Sequence, residues 1–174
     1  MSGADISHPG GCLCGAVRYE ITADPVRVTI CHCTYCQAAS GGPYAIVVLF
    51  PRDAFLPTGE TATYAHRSDE SGALLTTHSC PTCKTRVFVD LERFEGIVGV
   101  LGGTLDAPEK VSRESPMARH VFVRSAAPGT VLPAGIDLFH SAAIPANGED
   151  PVPVVLSHPK AVGPNRELPE EFYD

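Results

Sequence analysis

The sequence predicts a mainly β protein stapled by metal ions, and three observations support this prediction. Short apolar runs alternate with polar residues at the period of two that is typical of half-buried strands. Sixteen glycines and sixteen prolines interrupt these runs, and no stretch carries a long helical period. All seven cysteines lie in three short clusters of the kind that bind metal. Many short strands joined by Gly/Pro turns indicate an all-β domain.

The predicted strands follow in order. The alternation of Val17, Tyr19 and Ile21 with charged residues predicts a strand buried on one face. Residues 26–30 predict a strand that runs into the middle cysteine cluster, and Tyr44 to Phe50 predict a buried strand ended by Pro51. Further short strands are predicted at Thr61–Tyr64, Leu74–Thr77, Arg86–Asp90, Gly96–Leu101 and His120–Arg124. One helical turn is predicted after Cys33 and is stopped by Gly41-Gly42-Pro43.

The composition changes after Ser125. Eight prolines lie between Pro128 and Pro169, and the regular alternation disappears. Such a segment cannot pair as a central strand, so it either lies over the β core or stays partly disordered. We therefore expect a zinc-binding β domain over residues 1–125 and a Pro-rich C-terminal extension over residues 126–174.

The overall charge excludes several classes of partner. Twenty acidic residues against thirteen Lys and Arg give a net charge of −7, which is the wrong sign for general binding to nucleic acid or anionic lipid. The longest apolar run is too short to span a bilayer, and the first residues lack the pattern of a signal peptide. These features predict a cytoplasmic protein, where thiols stay reduced and clustered cysteines favour metal over disulfides.

The cysteine clusters are the main functional signal. They are Cys12-Leu13-Cys14, Cys31-His32-Cys33-Thr34-Tyr35-Cys36 and Cys80-Pro81-Thr82-Cys83. Two pairs, Cys12/Cys14 and Cys80/Cys83, would close one tetrahedral zinc site, and the middle triplet would hold a second ion from a single loop. Because seven sulfurs cannot close two such sites, one site keeps an open position. Iron–sulfur binding is the main alternative for the metal, although the spacing matches neither ferredoxin pattern.

These residues also resemble a known family. The segment from Gly11 to Tyr19, the middle triplet and the last C-x-x-C are similar to the glutathione-dependent formaldehyde-activating enzyme family, also called the centromere-protein-V/GFA family. The downstream segments Gly103-Thr104-Leu105-Asp106 and Pro116…His120-Val121-Phe122-Val123 extend the resemblance, which covers about Gly10 to Ser125. Two positions depart from the family pattern. Lys84 replaces the usual Gly after the last cysteine, so we expect that turn to be built differently, and Gln37 stands where Arg is frequent.

The resemblance implies a fold, two zinc ions and an activity. The implied fold is an Mss4-like zinc-stapled β structure. The implied structural zinc is held by Cys12, Cys14, Cys80 and Cys83, and the implied catalytic zinc by Cys31, Cys33 and Cys36. The implied activity is the addition of glutathione to formaldehyde or a related carbon–sulfur lyase reaction.

The donor set itself favours sulfur chemistry. Zinc with three thiolates is electron-rich, so it is less suited to making hydroxide than a histidine-bound zinc and more suited to accepting a further thiolate. We therefore expect the fourth position to hold a substrate thiol. Together with the resemblance, this implies a glutathione-like thiol adduct of a small carbonyl compound as substrate, and the net charge predicts no nucleic acid or membrane partner. Two alternatives remain: a zinc-stapled module that binds a protein, whose second site a histidine or the extension would complete, and a redox sensor that releases zinc on oxidation.

The sequence assigns no acid–base residue. His32 lies among the ligands but is expected to order the loop through a hydrogen bond. The other residues weighed for a role in the site are more typical of packing, turns or solvated surface; they are His78, His120, Asp106, Tyr35, Tyr44, Arg18, Lys84, Arg86, Arg113 and Arg119.

Overall fold

The protein is mainly β, as the sequence predicts. The computed structural model describes residues 6–69, 72–143 and 151–173, and within them lie thirteen strands and one α-helix. The strands are β1 (Gly10–Gly11), β2 (Arg18–Ile21), β3 (Arg27–Cys31), β4 (Ala45–Pro51), β5 (Phe55–Thr58), β6 (Ala62–Arg67), β7 (Leu74–Ser79), β8 (Arg86–Leu91), β9 (Ile97–Leu101), β10 (Ala118–Val121), β11 (Val131–Leu132), β12 (Asp137–Leu138) and β13 (Lys160–Ala161), and the helix is α1 (Thr34–Ser40). In these ranges no helix is long and apolar enough to cross a bilayer.

The chain divides into two compact units. Unit 1 contains Met1–Arg27 and Val47–Val111, and unit 2 contains Val28–Ile46 and Ser112–Asp174. Each unit carries one of the two groups of cysteines discussed below. The predicted boundary after residue 125 stays a prediction.

Unit 1 is built on an antiparallel ladder in the order β4-β9-β8-β7-β6. A smaller antiparallel sheet joins β1, β2 and β5. The predicted alternation of β2 is observed, because Tyr19 and Ile21 are buried while Arg18 and Glu20 are half-buried. The buried ring of Phe55 lies 5.4 Å from that of Tyr19 and 4.9 Å from that of Phe88, measured between centroids. Two turns with cysteines leave these sheets, one between β1 and β2 and one between β7 and β8.

Unit 2 contains the parallel strands β3, β10 and β12. Cys31, the last residue of β3, pairs with Val121 at the end of β10. The described parts of the Pro-rich extension are packed here: β11 pairs with β13. Buried apolar side chains from the extension and from the turn before it form one cluster, consisting of Val123, Ala126, Leu132, Leu138, Leu156, Val162 and Leu168.

Most predicted strands are observed, but the strand predicted at His120–Arg124 is wrong at its end. β10 stops at Val121, because Phe122 has a left-handed backbone with φ 58° and ψ 38°, which no strand can continue. Residues 123–125 then form a short 3-10 turn. The predicted helical turn after Cys33 is observed as α1, which ends at Ser40 and is capped by Gly41 in the left-handed conformation with φ 69°.

Candidate metal centres

The first group of cysteines joins the two turns of unit 1. The turn after β1 is closed by Cys12 N–H donating to the Val17 carbonyl at 2.9 Å, and the turn after β7 by Cys80 N–H donating to the Thr85 carbonyl at 2.9 Å. The Sγ atoms of Cys12, Cys14, Cys80 and Cys83 all lie within 4.8 Å of one another. The sequence separates these turns by more than sixty residues, and the sheets bring them together.

The sulfur spacing in this group fits a tetrahedral ion. Four sulfurs that each lie about 2.3 Å from zinc are separated by roughly 3.8 Å. The distances between Sγ atoms are 3.5 Å from Cys12 to Cys14 and 3.7 Å from Cys14 to Cys80. This donor set therefore suits a closed, four-coordinate metal.

Thr85 links the two turns and prepares one thiolate. Its hydroxyl lies 3.2 Å from the Cys83 Sγ, and the same oxygen accepts from the Leu13 N–H at 3.4 Å. Hydrogen bonds from the Thr85 hydroxyl and backbone N–H lower the pKa of Cys83 to about 5. Metal ligation requires thiolate, so this contact favours the ligating form.

The second group, which we call the triplet, lies in unit 2 and consists of Cys31, Cys33 and Cys36. Its three Sγ atoms lie within 4.8 Å of one another. Cys31 ends β3, whereas Cys33 caps the N-terminus of α1, where its Sγ accepts from the Cys36 N–H at 3.3 Å. No histidine or acidic side chain joins these three sulfurs in the described part of the chain. The triplet can therefore supply three ligands to a metal ion.

Charge is shared unequally within the triplet. Hydrogen bonds from the thiols of Cys31 and Cys36, and from the Cys36 backbone N–H, hold the pKa of Cys33 far below its ordinary value. The same contacts raise the pKa of Cys31, because its own ionisation would place two negative charges side by side. Three adjacent sulfurs with one stabilised thiolate are a natural cation site.

A buried histidine pair supports the triplet loop. His32 is fully buried, and its Nε2 lies 2.9 Å from the Nδ1 of His120, with the ring centroids 5.2 Å apart. Burial lowers the pKa of each imidazole to about 4. The side chain of His32 thus has a partner other than the triplet, which agrees with the loop-ordering role expected from the sequence.

Comparison with known proteins identifies the family. A family model described as "Glutathione-dependent formaldehyde-activating enzyme" matches residues 7–125, more than half of the chain. The chain belongs to the glutathione-dependent formaldehyde-activating enzyme family. Its mainly β fold with two cysteine groups fits the Mss4-like fold expected for that family. The crystal structure of a Rhodobacter sphaeroides protein from structural genomics is similar over 56% of this chain and 87% of that chain, with 18% identity and a TM-score of 0.45. Comparison with curated proteins gives no significant match.

The first departure from the family pattern is Lys84, in the turn after Cys83. We expected the turn after Cys83 to be built differently because Lys84 replaces Gly. That expectation stays a prediction; in this structure Lys84 adopts the left-handed backbone that glycine favours, with φ 62°. Its N–H donates to the Cys80 carbonyl at 3.0 Å and its Nζ to the Pro81 carbonyl at 2.6 Å. These bonds offset the cost of a side chain at a position that favours glycine.

The other departure creates a contact that the sequence did not predict. The Gln37 side-chain amide donates to the His32 carbonyl at 2.5 Å and to the Ser125 carbonyl at 2.7 Å. It therefore ties α1 both to the triplet loop and to the turn after β10. The sequence gives no signal for the contact between Gln37 and Ser125, because the two residues are 88 positions apart.

Several other candidate residues make defined contacts. Arg18 forms an ion pair with Asp106, and His78 bonds Asp90 at 2.8 Å and Thr61 at 3.0 Å. In unit 2 the Arg119 guanidinium lies 5.9 Å from the centroid of Phe139, and Tyr44 meets His32 edge-on at 5.4 Å. Of the sequence candidates, His32, His120 and Tyr44 are thus connected with the triplet loop, and Tyr35 lies within it, where its backbone bonds Cys33. Phe139, which packs beside the triplet, carried no sequence signal, and Phe122 entered the sequence analysis only within a segment that extends the family resemblance.

Proposed function

We propose that this protein is a zinc-dependent enzyme of the carbon–sulfur lyase class that acts on a thiol adduct of a small carbonyl compound. An adduct of a glutathione-like thiol with formaldehyde is the leading substrate. The family match and the three clustered sulfurs of the triplet support the proposal.

Two sets of residues would hold the ions. Cys12, Cys14, Cys80 and Cys83 would hold a structural zinc, and the triplet would hold a catalytic zinc. A zinc ion held by three thiolates supplies a soft cation that favours one further sulfur donor and stabilises it as thiolate. The donors fit this chemistry because all seven are sulfurs and each group is compact.

The chain itself prepares the triplet for this role. The low pKa of Cys33 keeps its Sγ ionised, and the end of β3 together with the first turn of α1 fixes the three sulfurs on one short loop. The neutral His32–His120 pair and the Gln37 amide, which bonds the His32 carbonyl, hold that loop in place. A rigid ligand loop holds a substrate sulfur in one orientation, which is the main contribution of positioning to rate.

The number of protein donors in the triplet favours an enzyme over a binding module. A closed module needs a fourth ligand from the chain, whereas in the described residues only three donors cluster in the triplet. A site with three protein ligands and one exchangeable position is typical of catalytic zinc.

The direct test is a rate comparison. The purified protein is assayed with glutathione plus formaldehyde and with preformed thiol adducts, beside Cys33→Ser and the control Ala38→Ser, which places serine at an exposed position of the same helix. We expect the parent and the control to accelerate turnover of at least one adduct and Cys33→Ser to fall to the uncatalysed rate. Equal rates for the parent and Cys33→Ser on every adduct would remove the catalytic proposal.

A further inference from the structure

Phe122 has a backbone conformation that its side chain disfavours. Its φ of 58° and ψ of 38° lie in the left-handed region, which is a genuine outlier for a bulky aromatic residue. Such conformations persist only where the surroundings impose them, and they concentrate at functional sites. Phe122 directly follows β10, at the end of the strand that pairs with Cys31.

The surrounding hydrogen bonds impose this conformation from several sides. The Phe122 N–H donates to the Ser141 carbonyl at 2.9 Å, and the Val123 N–H donates to the Phe139 carbonyl at 3.1 Å. The Ser125 N–H donates back to the Phe122 carbonyl at 3.0 Å, and the Ser125 carbonyl accepts from the Gln37 amide at 2.7 Å. The same glutamine that anchors the triplet loop therefore anchors the turn that sets Phe122.

The side chain of Phe122 packs on the apolar support of the triplet. Cys31, Val121 and Phe139 form a small buried cluster, and Phe122 packs against it together with Cys33, Cys36 and Ala143. The half-buried Phe122 ring thus packs on the same buried cluster as Cys33 and Cys36, and Cys31 is a member of that cluster.

We propose that the strained backbone of Phe122 holds its ring as an apolar wall beside the triplet, and that this wall determines which molecules reach the sulfurs. The ring would allow a thiol that carries a small, uncharged carbon group to approach the sulfurs. It would disfavour bulky or charged groups. This inference rests on the proposed function, because the molecules that the ring admits or excludes would be substrates. It makes Phe122 a specificity-determining residue, which neither the family match nor the cysteine pattern assigns.

The strain is tested with two variants that both remove the ring. Phe122→Gly tolerates the left-handed conformation, whereas Phe122→Ala does not. We expect the glycine variant to melt at a higher temperature than the alanine variant. Arg166→Gly is the matched control, because Arg166 is an exposed residue of the same unit with φ 65° and lies outside the cluster around the triplet.

The wall is tested by the access of thiol reagents to the full-length protein as purified, with its metal content recorded. Iodoacetamide serves as the small reagent and an aryl maleimide as the bulky one, and mass spectrometry reads each cysteine separately. Both Phe122 variants should raise the bulky-to-small reaction ratio at Cys33 and Cys36 by about tenfold, because exposure controls thiol reactivity. The ratio at Cys80 and Cys83, and all ratios in Arg166→Gly, should stay at the parental value.

The outcomes separate this inference from the proposed function. An unchanged ratio in both Phe122 variants overturns the wall, even if the parent protein proves to be a lyase. A glycine variant that is no more stable than the alanine variant overturns the strained conformation. A shifted ratio in a protein that shows no lyase activity supports the wall and removes the proposed substrate.

Discussion

His32 and His120 are two buried imidazoles whose pKa values are lowered to about 4 by burial. An unfolded histidine titrates near 6.5. Between these values the unfolded chain binds protons that the folded chain does not, so acidification favours unfolding. Stability from this pair is fully present above about pH 6.5 and declines as the pH falls toward 4.

We predict that His120→Asn weakens this pH dependence. Asparagine cannot titrate, so the loss of unfolding free energy between about pH 6.5 and pH 5 should shrink by roughly 1 kcal/mol relative to the parent. Urea denaturation at several pH values measures it, with metal content checked at each pH. Identical slopes for parent and variant would contradict the buried neutral pair.

Gln37 offers a second test at this scale. Gln37→Glu is nearly isosteric, yet it replaces an amide donor by a carboxylate that faces the His32 and Ser125 carbonyls. We expect it to lower the unfolding free energy by about 1–3 kcal/mol. Gln37→Met, which loses the bonds without adding charge, should cost less, and denaturation curves compare the two. Two variants as stable as the parent would show that the amide bonds contribute nothing.

Sequence reasoning reaches the cysteines but not their supporting contacts. The seven cysteines are recognisable because C-x-C and C-x-x-C spacings are local, and the structure gathers them into two groups. The His32–His120 and Gln37–Ser125 contacts each join residues 88 positions apart, so no local pattern encodes them. The left-handed backbone of Lys84 was also not predictable, because that conformation is usually occupied by glycine and the hydrogen bonds that accompany it here are tertiary detail.

At the scale of elements, the end of β5 packs closely on the first cysteine turn. Gly59 follows β5 with φ 85°, and a Cβ there would collide with the Ala16 carbonyl oxygen. Gly96 has a similar φ of 75° but open space around it. A comparison of substitutions at Gly59 and Gly96 therefore separates the cost of a positive φ from the cost of a steric collision with Ala16.

We predict that Gly59→Ala is much more destabilising than Gly96→Ala. The control should cost about 1 kcal/mol for its positive φ alone. Gly59→Ala should cost several times more and weaken metal binding by the group that contains Cys12 and Cys14, because the turn must move. Thermal melts with metal analysis of both variants measure this, and equal melting temperatures would contradict the close approach.

The strands show which elements a sequence can reveal. β2, β4, β7 and β8 were predicted because their alternation or apolar run is long enough to stand out. β1, β11, β12 and β13 have two residues each, and β5 carries an internal proline, so only tertiary pairing defines them. β10 was predicted too long because its apolar pattern continues through Phe122 while its backbone does not.

At the scale of the whole molecule, the two cysteine groups should differ in their importance for folding. The first group joins two turns whose cysteines are 66 residues apart, so its ion would contribute to folding directly. The triplet lies within one loop and a single turn of α1, where an ion constrains little additional chain.

We therefore predict that Cys80→Ser unfolds the protein while Cys36→Ser spares it. Structural zinc contributes roughly 10 kcal/mol or more to small zinc domains, which exceeds the stability of most domains. Circular dichroism melts of the two variants should show a collapsed transition only for Cys80→Ser. Matching losses in both variants would contradict the separate roles.

The proposed enzyme requires that the three sulfurs of the triplet hold a second ion with one exchangeable position. The most direct measurement is native mass spectrometry of the reduced protein, purified without chelators, beside Cys33→Ser. We predict two zinc ions per chain in the parent and one in the variant, with the remaining ion held by Cys12, Cys14, Cys80 and Cys83. One ion per chain in both proteins would contradict it.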